Sequence, residues 1–169
     1  MKKFVLSLLV ICLTSQLFSQ VESLPEIEIA AVNYKYLSAV DSEDIDIDVK
    51  MLQEKVAQFD LKNSDYYVDE YHTYQVTFFI PDGNILVAYD NGGNIIRTVE
   101  RFKNVKLPII VKKSIAERYP SWIFKKDIYR VTYNQEGSKK EYKVILEKGN
   151  EIVRVKTDEN GNFLNEFIF

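Results

Sequence analysis

An internal repeat gives the strongest indication of how this chain folds. Residues 90–96 (DNGGNII) recur 68 positions later, counted as 158 minus 90, as residues 158–164 (DENGNFL). The same offset carries residues 74–78 (YQVTF) onto residues 142–146 (YKVIL), so the match covers two strands and the turn after them. A period of this size is too long for a solenoid repeat and indicates the duplication of a small α+β module.

Residues 1–19 have the pattern of a secretion signal and are not expected to belong to the fold. Two lysines form a basic start, an apolar run covers residues 4–13, and a polar segment of small residues ends at Ser19, after which we expect cleavage. The apolar run is too short for a permanent membrane span, so we expect no stable membrane anchor. A lipid anchor on Cys12 would need a small residue before it, where an isoleucine stands. The sequence therefore predicts a periplasmic or secreted protein.

The mature chain is expected to be free of thiols and acidic. Removal of residues 1–19 takes away two lysines and the single cysteine and leaves 20 basic against 25 acidic residues, which changes the formal charge from −3 to −5. The remaining chain, about 150 residues, is long enough for one domain with its own core. An acidic balance argues against a nucleic acid or an anionic membrane as the partner. We therefore expect a protein or peptide partner in the cell envelope, and the oligomeric state stays open.

Hydrophobic spacing divides the mature chain into an N-terminal arm and one domain. We expect residues 20–44 to form an arm or an edge strand, because apolar and polar residues alternate over most of 26–31. The domain then covers residues 45–169 and consists of two repeats, at about 45–101 and 106–169.

Each repeat is predicted to begin with a helix and to continue with antiparallel strands. Apolar residues three or four positions apart predict helices at 47–59 and 108–119. Turns rich in glycine, asparagine and proline separate the predicted strands. These strands are 66–70, 74–80, 85–90, 95–100, 123–133, 141–147, 152–157 and 163–169. The predicted fold class is α+β, with both helices on one face of an antiparallel sheet that the two repeats share.

The second repeat resembles a known family. Its helix is opened by residues 107–108 (LP) and closed by residues 118–120 (RYP), and two antiparallel strands precede the turn at 158–162 (DENGN). This order is similar to the PepSY-like group of small exported bacterial proteins related to the beta-lactamase inhibitor protein, and the resemblance covers about residues 45–169. It implies helices on one face of a sheet, with the open face or the loops contacting a partner such as a peptidase or another enzyme. It implies no catalytic residue, and the cysteines that join the units of that inhibitor are absent.

The residue inventory favours binding over catalysis. His72 is the only histidine, so a two-histidine zinc site is excluded, and no serine stands in a nucleophile elbow. Asp44, Asp46 and Asp48 imitate the start of a calcium loop, but a valine and a lysine stand where glycine and glutamate are required. We therefore expect no catalytic residue, no metal ion and no cofactor. The alternative is a small carboxylate-based or metal-dependent envelope enzyme, which would need acidic side chains that converge in a pocket.

Alternation within the strands predicts which side chains lie on the uncovered face of the sheet. In residues 74–80 the even positions are apolar and are expected to face the helices, and the 68-residue offset preserves this parity. The candidate partner-binding residues on the uncovered face are Phe79, Leu86, Arg154 and Lys156. An apolar patch beside a basic one is typical of a recognition surface. In the alternative, the arm folds over Phe79 and Leu86 and turns them into a second small core.

Overall fold

The computed structural model describes residues 33–42 and 44–168, with side chains as far as residue 164. The predicted signal segment and the first part of the predicted arm, residues 20–32, lie outside the described residues. Within them the chain forms helices α1 Tyr34–Val40, α2 Ile47–Gln58 and α3 Ile109–Arg118. The strands are β1 Thr73–Ile80, β2 Gly83–Asp90, β3 Ile95–Lys103, β4 Ile123–Asn134, β5 Gly137–Lys148, β6 Glu151–Asp158 and β7 Phe163–Ile168.

All of these strands join one antiparallel sheet, in which they follow one another in the order of the sequence. The register repeats with the duplication, because Val76 lies opposite Val87 in the first unit and Val144 lies opposite Val155 in the second. An irregularity in the ladder also recurs at equivalent positions of β2 and β6. The sequence repeat therefore corresponds to one hairpin geometry that is used twice.

The repeated aspartate-to-asparagine segment forms the same turn in both units. Asp90 Oδ1 accepts a hydrogen bond from the backbone N–H of Asn94 at 2.8 Å, and Asp158 Oδ1 accepts one from the N–H of Asn162 at 2.9 Å. Burial disfavours the charge of both aspartates, but these hydrogen bonds outweigh it and lower the pKa of each. Gly93 and Gly161, which precede these asparagines, have φ values of 84° and 79°, which glycine adopts without steric cost.

The two longer helices begin where the sequence favours a helix start. Asp46 precedes α2, and its side chain accepts a hydrogen bond from the backbone N–H of Asp48 at 3.1 Å. Pro108 precedes α3. An N–H at this position would have no acceptor within the helix, so proline loses no hydrogen bond there. None of the helices in the described ranges combines the length and the apolar character that crossing a membrane requires. The buried apolar side chains of α2 and α3 include Val49, Leu52, Val56, Val111 and Ile115.

The helices pack on one face of the sheet and share one core with it. The inward valines of both hairpins, Val87, Val144 and Val155, are buried in the same cluster as the apolar side chains of α2 and α3. Within residues 33–42 and 44–168, every helix lies on this face. The predicted α+β fold, with the helices on one side of a sheet that both repeats share, is confirmed.

The segment Tyr34–Val40 is helical, so the prediction of an extended arm is wrong for this part. Tyr36 and Val40 are buried, Leu37 packs beside them, and the ring of Tyr36 lies edge-on to Tyr133 at 5.4 Å between centroids. These inward positions have helical spacing, whereas the alternation that indicated a strand is confined to 26–31. Because α1 packs on the helix side of the sheet, residues 33–42 do not cover the uncovered face.

Residues 66–70 do not form the predicted strand. The backbone N–H groups of Tyr67 and Tyr71 donate to carbonyls three residues earlier, at 3.2 and 3.1 Å, so the chain passes through turns. The ring of Tyr67 stacks on Tyr74 at 5.5 Å between centroids. Tyrosines favour strands in general, but here they pack against the end of β1 instead of extending the sheet. β1 is therefore an edge strand.

Candidate partner-binding face

All four predicted contact residues occupy outward positions of their strands, by the alternation of buried and exposed side chains. Phe79, near the end of β1, is 79 % exposed, and Leu86 in β2 is 36 % exposed. Arg154 and Lys156 lie in β6, the first exposed and the second half-buried. Their neighbours along each strand are buried or half-buried, as the alternation of side chains in a strand requires. Sequence parity therefore predicted the direction of all four side chains.

These four residues do not form one patch. Leu86 in β2 and Arg154 in β6 are four strands apart, which corresponds to about 19 Å at the usual spacing of strands. Phe79 lies one strand further away, on the edge strand β1. The structure therefore separates the predicted site into an apolar region on β1–β3 and a basic region on β5–β6.

The apolar region includes Val99, which was not among the residues predicted from the sequence. Leu86 lies opposite Thr77 on one side and Val99 on the other, and Val99 is 37 % exposed. Phe79, two positions beyond Thr77, lies opposite Asn84 on the same face. Alternation in β3 indicated the outward position of Val99 in the sequence. The result is a small exposed apolar surface with polar neighbours, a composition typical of protein contacts.

Lys156 in the basic region forms an ion pair within the protein. Its Nζ lies 2.8 Å from Oε2 of Glu141, and Lys139 Nζ lies 3.0 Å from Oε1 of the same carboxylate. Partial burial disfavours the charge of Glu141, but the hydrogen bonds and charges of Lys156 and Lys139 outweigh it and lower the pKa of Glu141. Lys156 is thus held in place on the sheet.

Basic side chains oppose one another across neighbouring strands from β3 to β6. Arg101 in β3 lies directly opposite Arg130 in β4, and Lys143 in β5 lies directly opposite Lys156 in β6. We name these four residues the cationic strip. Arg101, Arg130 and Lys143 are exposed. Arg101 and Arg130 were not among the predicted contact residues, although parity in β3 and β4 indicated that both point outward.

The covered side of the sheet contains a buried carboxylate that was not predicted from the sequence either. Glu100 accepts hydrogen bonds from the Tyr36 hydroxyl and the Gln53 amide, both at 2.8 Å, and from the Thr98 hydroxyl at 3.1 Å. Burial raises the pKa of Glu100, although these three hydrogen bonds oppose the shift. Burial also raises the pKa of Tyr36, which keeps its proton for this hydrogen bond. The network joins α1 and α2 to β3. Its side chains are buried in the core, where a substrate cannot reach them.

A cleft of about 370 Å³ lies between α2 and the ends of β1 and β3, with Phe79 at its wall. Asp46 lines it, but its two oxygens already accept backbone N–H groups of Asp48 and Lys106, both at 3.1 Å. In the ranges that the structure describes, no group of three or more His, Cys, Asp or Glu could hold a metal ion. His72 is exposed in the segment before β1. Asp48 and Asp82 line the same cleft as Asp46, so the carboxylate-based enzyme stays the alternative to a binding module.

Comparisons with known proteins give structural likenesses only. No protein-family model and no curated protein matches the sequence. The chain is similar to a BLIP-like protein from Bacteroides fragilis, with a TM-score of 0.36 and 22 % identity over 59 % of this chain and 70 % of that one. It is also similar to a DUF2874 family protein from Bacteroides ovatus (TM-score 0.36, 12 % identity, 59 % and 71 % covered) and to a protein from Bacteroides eggerthii (0.37, 11 %, 57 % and 70 %). At these TM-scores the likenesses carry no conclusion about family, target or activity, and the PepSY-like resemblance stays a prediction.

Proposed function

We propose that this protein is an exported, non-catalytic binding module that recognises or inhibits a protein or peptide partner in the cell envelope. The observation that supports this best is the one-sided sheet, whose described helices all cover one face while the other exposes Leu86 and Val99 beside the cationic strip. Apolar groups beside charged ones are the usual composition of protein interfaces. The partner docks on this face or its adjoining loops, in contact with Phe79, Leu86, Arg154 and Lys156.

The proposal includes export, which depends on residues 1–19. Cleavage after Ser19 places the mature chain in the periplasm or outside the cell. Intact-mass measurement on protein from the native host is expected to find a chain that begins near Gln20. A chain that begins at Met1 in a cytoplasmic fraction would contradict both the cleavage and the localisation.

Two matched variants test the binding face. Phe79 on the uncovered face is 79 % exposed and Ile109 on α3 is 74 % exposed, so a serine at either position removes a similar apolar surface. The mature chain is immobilised, and the protein that it retains from an envelope extract is quantified by mass spectrometry. We expect Phe79→Ser to reduce the retained partner and Ile109→Ser to leave it unchanged. Equal retention by both variants, a selective loss with Ile109→Ser, or no specific retention would contradict the proposal.

A further inference from the structure

The cationic strip has an arrangement that folding by itself does not favour. Its two cross-strand pairs, Arg101 with Arg130 and Lys143 with Lys156, place like charges at directly opposed positions, which weakens strand pairing. Among the described residues, Arg101, Arg130 and Lys143 form no ion pair with a carboxylate. Glu141 lies opposite Arg130, but its carboxylate pairs with Lys156 and with a second lysine, Lys139. The strip thus has more positive charge than its neighbours neutralise.

The strip also has the opposite charge to the rest of the molecule. The whole chain has a formal charge of −3, and residues 41–70 contain ten acidic and three basic residues. This acidic segment includes α2 and the turns on either side of it, on the helix side. The negative charge is therefore concentrated at α2 and its turns, whereas α3 is basic and the cationic strip is a basic stretch on the sheet. Such a charge distribution steers an acidic partner toward the uncovered face.

We propose that the cationic strip docks an acidic segment of the partner protein, whose Asp and Glu carboxylates pair with Arg101 and Arg130. This inference rests on the proposed function and adds the chemistry of the partner. Arginine pairs with carboxylates through two parallel hydrogen bonds, which gives both affinity and orientation. The strip crosses β3 to β6, a width of about 14 Å, which an extended segment of about four residues spans.

Apolar side chains next to the strip favour a protein over other anions. Val99 lies two positions before Arg101 on the same face of β3, and Ile128 lies opposite Lys143 on the neighbouring strand. Protein surfaces supply apolar side chains beside carboxylates, whereas a nucleic acid or a layer of lipid headgroups presents continuous negative charge.

The test uses the mature chain and a defined probe, a fluorescein-labelled peptide of alternating glutamate and leucine. A peptide with glutamine in place of glutamate is its uncharged counterpart. The double variant Arg101→Glu/Arg130→Glu reverses the charge of the strip. The control Lys62→Glu/Lys113→Glu makes the same charge change at exposed lysines in the turn after α2 and on α3. Thermal unfolding checks that both double variants are folded.

Fluorescence anisotropy then gives the affinity of each protein for each peptide. We expect the glutamate peptide to bind about tenfold or more tightly than the glutamine peptide, with an advantage that shrinks as salt is added. Reversal of the strip is expected to abolish this advantage, and the control is expected to keep it. Equal affinity for the two peptides, or equal losses in the two double variants, would overturn the proposal. Tighter binding to phosphatidylglycerol vesicles or duplex DNA than to the glutamate peptide would overturn it as well.

The same variants separate this inference from the proposed function. Retention of an envelope partner that depends on Phe79 but not on the charge of the strip would contradict the inference of an acidic partner segment. This result would still support the uncovered face as the binding face. Binding of the glutamate peptide that reversal of the strip abolishes, without any retention that depends on Phe79, would support the strip and contradict the proposed function.

Discussion

The two repeats use the same hairpin inside the protein and different chemistry outside it. Their inward valines have identical register and are buried or half-buried. At the same 68-residue offset, the outward Leu86 of the first unit corresponds to Arg154 in the second, and Phe79 corresponds to Glu147. Packing fixes the inward positions in both copies. The outward positions have fewer packing constraints, so substitutions there can change the contact with a partner without disturbing the core.

The repeats also differ in the segment that comes after the helix. Residues 59–72 after α2 form turns, whereas α3 is succeeded within a few residues by the long strand β4. β4 pairs with β3 on one side and with β5 on the other, so it joins the two units into one sheet. The first unit has no equivalent strand and ends at the edge strand β1. β4 has no counterpart in the first unit, and through it the two units share one sheet and one core.

Glycine-to-alanine changes in the two equivalent turns should give the largest difference between the units in the free energy of unfolding. A Cβ on Gly161 would lie 2.9 Å from Ser114 Cβ and 3.1 Å from the Ile110 carbonyl, whereas a Cβ on Gly93 meets nothing nearer than 3.6 Å. Both changes strain a left-handed backbone, by about 1–2 kcal/mol. Gly161→Ala should cost about 1–3 kcal/mol more, because α3 lies against its turn. Chemical denaturation measures both, and equal losses would show that the turn and α3 are not in close contact.

Truncation of the equivalent inward valines should give the next largest difference. Val144 is fully buried in β5, in the middle of the sheet, and Val76 is half-buried in the edge strand β1. We expect Val144→Ala to lower the free energy of unfolding by about 2 kcal/mol and Val76→Ala by about 1 kcal/mol. Urea titration of both variants measures the two losses. A greater loss for Val76→Ala would mean that the edge strand is covered by residues outside the described ranges.

The buried Glu100 of the first unit makes the stability of the protein depend on pH, whereas position 168, its equivalent in the second unit, is an isoleucine. Because the pKa of Glu100 is raised, the native protein binds this proton more tightly than the unfolded chain does. Stability relative to Glu100→Gln should be greatest below the ordinary glutamate pKa of about 4.3 and should fall as the pH rises through the raised pKa.

The loss amounts to about 1.4 kcal/mol for each unit of the upward shift. Denaturation curves of the wild type and Glu100→Gln from acidic to neutral pH measure the difference. Carboxyls with a lowered pKa, such as Glu141, act in the opposite direction, but they are present in both proteins and cancel. A difference that does not change with pH would contradict the account of this network.

Phe79→Ser should have the smallest effect on stability. An exposed side chain away from packing contributes less than about 0.5 kcal/mol, whereas burial under the arm would make the loss about 2–4 kcal/mol. The denaturation midpoint of the variant distinguishes the two cases. A chain that begins at Asn33 is the control, because it lacks residues 20–32. A large loss that disappears in the shortened chain would mean that the arm covers Phe79.

Turn residues and strand parity predicted most of the fold. The DNGGN and DENGN turns, the two longer helices and the inward face of each strand could be located because each has a local cause. The helix Tyr34–Val40 could not, because seven residues are too few to establish a periodicity and its helical conformation depends on Tyr36 packing against Tyr133. The failure at 66–70 has the same origin, since packing on Tyr74 outweighs the strand preference of tyrosine.

The candidate site could be predicted only in part, for a related reason. Parity gave the outward direction of Phe79, Leu86, Arg154 and Lys156. Parity predicted neither the distance between these four residues nor the cationic strip, because both depend on the order of the strands and on the register between the two units. The β3–β4 pairing sets that register, and the repeat contains no information about it.

We propose that the uncovered face of the sheet, and not the helix side, contacts the partner. Photo-crosslinking in the native host distinguishes the two faces, with a photoreactive residue at Leu86, at its equivalent Arg154, or at Ile109 on α3. We expect an adduct of one defined mass from Leu86 and from Arg154, and none from Ile109. An adduct from Ile109, with none from either position on the sheet, would contradict it.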